Sequence, residues 1–294
     1  MDPQFGAPQM PVCAVHCVQY ATANTSIPFK SDLLEDRISP SDHEENTMTE
    51  TLAQHRDVPS AIAAPWSPET TAACVSCVVR SRRATRAFKA SPLPREAVEE
   101  ILTEAACAPS GANIQPWRVY VVSGEVKDGL THALVTASRA GVAPAPAHFP
   151  DPLPHMFRNR LQDFGARYYA SLGIERSDTA ARTRQTERNY AFFGAPVGLI
   201  FSIDRRLKPH SWIDLGLFAQ TVMLAAKARG IDTCPQVAFA QFHEPIASYL
   251  QMPQEEITAF GMSMGYGDTQ APVNRAAMPR VRLQDFAQIL GFAG

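Results

Sequence analysis

Apolar residues recur at two different periods along this chain, and each change of period marks an element. Ser67-Pro68-Glu69 has the form of a helix start, with a capping hydroxyl, proline at the first helical position and an acid in the first turn. That helix is predicted to run to about Arg82, placing its arginines at the C-terminal end, where cations favour the dipole. A short extended piece follows, Ala87 to Lys89. Pro92-Leu93-Pro94-Arg95 then opens a second helix, in which Val98, Ile101, Leu102, Ala105 and Ala106 recur at helical spacing. Pro109 and Gly111 end it. Trp117 to Val122 is predicted as a strand, closed by Ser123-Gly124. Val197 to Ile203 and Ile257 to Met264 are apolar runs of buried-strand type. Leu215 to Ala226 is almost entirely apolar and stops at Gly230, which predicts a central helix buried on all sides. Leu283 to Phe292 is expected to form a last amphipathic helix. Strands alternating with helices across loops of ordinary length point to a layered α+β or α/β domain.

Two stretches break this pattern. Residues 1–70 hold eight prolines, scattered Ser, Thr and Asn, and three Lys/Arg against ten Asp/Glu. Such a segment cannot bury enough surface to offset its ordering entropy, so it is expected to be a disordered, acidic extension. It lacks the charged n-region and apolar h-region of a signal peptide and is too acidic for a mitochondrial transit peptide. Met48 is a second possible start. Residues 140–190 begin with Pro144, Pro146, Pro150, Pro152 and Pro154, then turn polar and Arg-rich around Tyr168, Tyr169 and Tyr190, as a lid-like insertion would. The rest of the chain, 71–294, is expected to carry the working domain.

Charge and composition narrow the function. With 45% apolar residues the chain can bury a full-sized core. Outside residues 1–70 it carries 24 bases and 19 acids, a balance that suits small anionic ligands and falls far short of a nucleic-acid binder. No apolar run reaches the length of a membrane span. A cytoplasmic protein with no membrane or nucleic-acid partner is the expectation. Cys13, His16 and Cys17 with Cys74 and Cys77 form a zinc set only on paper, since the halves lie nearly sixty residues apart and the second pair falls within a helix; reduced cysteines and no metal are expected. Gly261-Met262-Ser263-Met264-Gly265 spells a hydrolase elbow, yet the last histidine, His243, precedes the serine, whereas that fold places it after.

The informative feature is the run Arg80 to Lys89, with five cations and no acid. In isolation, such a run is most often a solvated basic face. Arg82, Arg83 and Arg86, three and four apart at a helix end, also suit phosphate, because guanidinium forks pair with its oxygens. About twenty-five residues later comes "APSGANIQPW", Ala108 to Trp117, with a proline stop, a hydroxyl, a glycine and two side-chain amides before a strand. Taken together, "SRRATRAF" and this loop resemble the FMN-dependent nitroreductase family. The likeness runs over residues 75–294 and includes "FFGAPVGLIF" (192–201), "DLGLFAQTVMLAAKARGIDTCPQ" (214–236) and "GMSMGYGD" (261–268). "PDPLP" (150–154) and "RNYAFFGAP" (188–196) look most like its nitrobenzoate-reductase branch.

The resemblance implies an α+β nitroreductase-like fold, a central mixed β-sheet flanked by helices, with a long buried central helix. It implies a homodimer that binds FMN non-covalently at the subunit interface. It matches Arg82, Arg83 and Arg86 to the segment holding the FMN phosphate and the pyrimidine edge, with Ala84 where many relatives have Ser. Pro109, Ser110, Gly111, Asn113 and Gln115 match the loop that reaches the flavin from the partner subunit. Pro235 and Gln236 match the segment over the ring, and Arg275, beside Asn274, matches a second phosphate cation. The implied activity is ping-pong transfer from NAD(P)H through FMN to a nitroaromatic, ending at the hydroxylamine, with no catalytic residue of the protein's own. A cation at the pyrimidine side favours hydride uptake, because reduced flavin is anionic there. Tyr168, Tyr169, Phe192 and Phe193 are candidate pocket walls, although core packing suits each of them better. A quinone, enone or flavin reductase, or a flavin-binding sensor without turnover, would present the same motifs.

Overall fold

The computed structural model describes residues 66–141 and 149–292. Cys13, His16, Cys17, Met48, Pro144 and Pro146 lie outside the described residues, as does the predicted extension apart from residues 66–70. The chain divides into two units, Met1–Cys77 and Val78–Gly294. In the first, Ser67 opens α1 (Pro68–Ser81) as predicted: its Oγ accepts the Thr70 N–H at 3.3 Å and its carbonyl the Thr71 N–H at 3.0 Å.

The second unit is built on a four-stranded sheet of order β1-β2-β4-β3, made of β1 (Trp117–Ser123), β2 (Val197–Asp204), β3 (Asp232–Gln236) and β4 (Glu256–Gly265). Every ladder in it is antiparallel. Parallel character enters only as an isolated bridge between Ala84 and Thr233, beside β3.

Strand alternation sends side chains to two cores. Leu199, Phe201 and Ile203 of β2, with Met262 and Met264 of β4, face one side. There they meet α2 (Arg95–Ala105), through Val98, Ile101 and Ala105, and α6 (Pro209–Ala228), through Leu215, Phe218 and Val222. Ile200 faces the other side, among Leu130 and Leu134 of α3 (Gly124–Arg139), Tyr190, Phe192, Phe239 and Ile246 of α7 (His243–Leu250). Aromatic rings lie so close to this second face that two strand positions must be glycine. A β-carbon at Gly198 would stand 2.4 Å from the Phe192 ring, and one at Gly261 2.6 Å from that of Phe239. The segment between α3 and β2 folds as α4 (His155–Ser171) and α5 (Thr179–Tyr190), and α8 (Pro272–Arg275) follows β4.

Two expectations need correction. The central helix α6 is not buried all round: Trp212, Ile213 and Leu217 are 41%, 60% and 42% exposed, forming an apolar stripe along one side. Residues 283–292 are not a helix beyond a 3-10 turn at Leu283–Asp285, and Phe286, Ile289, Leu290 and Phe292 stand in solvent. A short amphipathic segment needs a surface to pack on before its helix is stable, and this one has none among the described residues.

Candidate flavin site

The arginine segment leaves the end of α1 and runs beside β3. Thr85 N–H donates to Thr233 O at 3.0 Å, Asp268 N–H to Ala87 O at 3.0 Å and Lys89 N–H to Tyr266 O at 2.8 Å, so the segment is an extra, irregular edge of the sheet. Phe88 bridges Gly267, where a β-carbon would meet Asp232 Oδ2 at 2.4 Å. This framework carries Arg82, Arg83 and Arg86, and the charges of Arg82 and Arg86 both bear on Cys234. Arg83 is exposed and donates to Asn274 O at 3.0 Å; Arg82 and Arg86 are half-buried. Among the described residues none of the three forms an ion pair with an acid, although Arg95, Arg139, Arg167, Arg206, Arg229 and Arg282 all do.

Burial pushes the Arg82 guanidinium below its ordinary pKa, and the positive charge of Arg280 adds to the effect. Arg280 therefore belongs to the same electrostatic neighbourhood, a cation that sequence reasoning did not single out. Arg275 is exposed and donates to Gln270 O at 2.9 Å. Arg86 lies over two stacked rings of α4, 5.4 Å from the Phe164 centroid and 5.1 Å from that of Tyr168. Gln185 of α5 fixes Tyr168 in turn, donating to its hydroxyl at 2.6 Å. Beneath the arginines, burial pushes the Cys234 thiol up to about 11 against the pull of Arg86 and Arg82, so it stays protonated. Pro235 beside it is exposed.

The second motif is a rigid loop. Ala112, Asn113 and Gln115 all have positive φ, at 49°, 57° and 47°, a conformation costing about 1–2 kcal/mol for each residue with a β-carbon. The loop offsets this internally. Ser110 Oγ accepts the Gln115 N–H at 3.0 Å, Asn113 N–H donates to Ser110 O at 3.0 Å, and Gln115 Nε2 donates to Asn113 O at 3.2 Å. Behind the loop Trp117 stacks on Phe218 of α6 at 4.6 Å, and Gly111 would bring a β-carbon to 3.8 Å from Asp214. The Asn113 carboxamide is exposed and makes no hydrogen bond among the described residues, leaving it available to a ligand.

Other predicted residues have structural duties. Gln236 is buried, with Nε2 donating to Asn189 O at 2.7 Å and Oε1 accepting from Ser263 Oγ at 2.6 Å, so both polar ends of its side chain are occupied. The same bond explains Ser263, which is a buried strand residue and not a nucleophile. Phe192 and Phe193 are fully buried core, whereas Tyr168 and Tyr169 lie beside the cations Arg86 and Arg182.

Guanidinium groups without an acidic partner, exposed loop amides and the buried Thr233 Oγ1, which has no hydrogen-bond partner among the described residues, are donors of the kind a phosphorylated ligand takes. The fold and this donor set define the class: the chain belongs to the nitroreductase family, whose sequence model matches residues 79–266. Within it, the chain is 45% identical over 215 residues to the 4-nitrobenzoate reductase of Pseudomonas putida, a match covering 73% of this chain and 95% of that one. Nitrobenzene nitroreductase of Ectopseudomonas oleovorans is 42% identical over 212 residues, 71% of this chain and 93% of the relative. Among solved structures, the FMN-dependent nitroreductase NfnB from Mycobacterium smegmatis in complex with NADPH aligns with a TM-score of 0.72 at 32% identity, covering 75% of this chain and all of that one.

Proposed function

We propose that residues 71–294 form an FMN-dependent, NAD(P)H-consuming nitroreductase that acts on small nitroaromatic compounds as a homodimer, with residues 1–70 as an extension and 140–190 as a lid. The observation that carries this reading is the arginine segment, three cations without an acidic partner among the described residues, on a framework shared with nitroreductases. When bound, FMN supplies the redox chemistry, taking hydride from the nicotinamide and delivering electron pairs to the nitro group in ping-pong alternation, through the nitroso to the hydroxylamine compound.

The protein's contribution is electrostatic and steric. Arg82, Arg83 and Arg86, with Arg275 as a further cation, take the phosphate and the pyrimidine edge. Their charge lowers the cost of the negative charge that accumulates at that edge on reduction. Ala84 and Pro235 leave close approach open, and Pro109, Ser110, Gly111, Asn113 and Gln115 reach the flavin from the partner subunit. Gln236 contributes by keeping β3 in place from behind. Two exposed apolar surfaces support the dimer: the stripe Trp212, Ile213 and Leu217 on α6, and the 286–292 segment with Phe286 and Phe292.

The test is the visible spectrum of the purified chain followed by anaerobic titration. A yellow protein bleached by NADPH or NADH and reoxidised by 4-nitrobenzoate is expected, with sedimentation as a dimer. A chain that takes up no FMN overturns the reading, and faster turnover of a quinone or of free FMN than of nitrobenzoate overturns the substrate assignment.

A further inference from the structure

One carboxamide ties the arginine segment to the far end of the chain. Asn274, buried in α8, accepts the Arg86 N–H on Oδ1 at 2.8 Å. Its Nδ2 donates to Ala87 O at 2.7 Å and to Asp268 O at 2.8 Å, while its backbone carbonyl accepts from Arg83 Nη1 at 3.0 Å. The three contacts with the arginine segment span 187 to 191 residues of sequence. Both amide protons and one lone pair of the side chain are thus in use, which only a primary carboxamide can manage. The neighbouring amides of Thr85 and Lys89 are held by backbone carbonyls; that of Arg86 is held by this side chain alone.

We infer that Asn274 is a positioning residue of the flavin site: from outside residues 79–266, it presets the Arg86 backbone and the Arg83 guanidinium in the form that receives the FMN phosphate. The inference rests on the FMN reading above. Asn274 need not touch the flavin. It removes, before the ligand arrives, the ordering cost that a free arginine loop would meet on binding. Without the carboxamide Arg86 keeps its stacking on Phe164 and Tyr168, but its amide and the Ala87 carbonyl lose their partner, and the backbone carbonyl that holds the Arg83 fork is no longer tied to the arginine segment.

The test is a thermodynamic cycle on FMN affinity, read by quenching of flavin fluorescence on titration into the apo-protein. Asn274→Ala, and Asn274→Leu to keep the buried volume filled, are compared in the parent chain and in the Arg83→Ala/Arg86→Ala chain. In the parent, either replacement is expected to raise the dissociation constant about tenfold or more, the scale of losing the side chain's two hydrogen bonds to the arginine segment. In the arginine-less chain the same replacement should change it by less than about threefold, because a residue that acts through the arginines has nothing left to position. Equal factors in both chains, or a change under about threefold in the parent, overturn the inference. Should both variants fail to fold, amide exchange in the wild-type apo-protein decides: the Arg86 amide is expected to exchange slowly, and exchange at the rate of an open loop overturns the proposal. A wild-type chain that takes up no FMN overturns this inference and the flavin reading together, whereas FMN uptake with equal factors overturns this one only.

Discussion

Two polar clusters of one sheet, one beside β3 and one across β1, β2 and β4, are built on opposite terms. Beside β3, Arg82, Arg83, Arg86 and Arg280 gather with no ion pair to an acid among the described residues, and burial already works against the Arg82 charge. Across β1, β2 and β4, Glu256 Oε2 accepts from Tyr120 OH at 3.0 Å and from Ser202 Oγ, and Arg205 Nη2 donates to the Glu256 carbonyl at 2.9 Å. The Tyr120 phenol is pushed up to about 12, by burial first and by its bond to Glu256 second, so it stays a donor. In the second cluster both hydroxyl donors already have their acceptor in Glu256. The first holds charge that only an incoming anion neutralises. Unmet charge on a rigid frame, not charge as such, separates a binding site from a piece of architecture.

The largest effect tests the first half of that contrast. Arg82→Ala/Arg86→Ala removes two charge-assisted contacts of roughly 1.5–3 kcal/mol each, so FMN should bind at least about 100-fold more weakly and the protein should purify colourless. A variant that carries its flavin through gel filtration would show that the arginines are ordinary surface charge. The next effect tests the other half. Glu256→Ala leaves the buried Ser202 hydroxyl and the Tyr120 phenol without their acceptor, a loss of about 2–4 kcal/mol in stability by urea denaturation. FMN affinity in that variant should stay within about twofold of wild type. A parallel fall in affinity would mean that the clusters are one coupled system.

Much of the first cluster was legible because its signals are local. The Ser67 cap, the Pro109 stop and the strand runs each depend on neighbours a few residues away and appear where the pattern put them, whereas the arginines, expected in the last helical turn, lie past Ser81 on the irregular sheet edge. What lay hidden depends on distance along the chain. The sequence marks Asn274 only as the neighbour of Arg275, and only folding shows it clasping a segment 188 residues away. The same holds for Arg280 beside Arg82 and for the Phe164 ring under Arg86. β3 escaped periodicity because Asp232 and Pro235 interrupt five residues, which an edge position tolerates. α3 was overlooked with Gly124 and Gly129 in its sequence, the latter pressed against the Tyr249 hydroxyl. The α6 stripe and the 283–292 segment misled for the opposite reason: their apolar pattern is genuine, but nothing among the described residues covers it.

A smaller effect refines the picture of the arginine cluster. Phe164→Leu removes one of the two rings beneath Arg86 and keeps the apolar contact. At about 0.5–1 kcal/mol for a partly exposed cation–π contact, FMN affinity should drop roughly two- to fivefold. The loss should vanish when Arg86 is already alanine. If it persists there, Phe164 meets the ligand itself and the rings are pocket wall instead of support.

The smallest effect is a pH dependence confined to the second cluster. His243 Nδ1 accepts the Thr258 N–H at 3.2 Å, and Arg205 Nη2 lies 3.3 Å from Nε2. Burial lowers the His243 pKa, Arg205 lowers it further, and Glu244 opposes both. Protonation would set two donors face to face at Nδ1. The unfolded chain therefore binds this proton more readily than the folded one, so stability is full above about 6.5, the ordinary histidine value, and declines as pH falls below it towards the depressed folded value. His243→Asn keeps a short polar side chain without the titration, and should flatten the difference in urea midpoint between pH 7.5 and 5.5. FMN affinity should follow the same pH step in both proteins, because His243 bonds to Thr258 and Arg205 and not to the arginine segment. An unchanged midpoint difference in the variant would move the pH response to another histidine, and a variant-specific change in affinity would breach the separation of the two clusters.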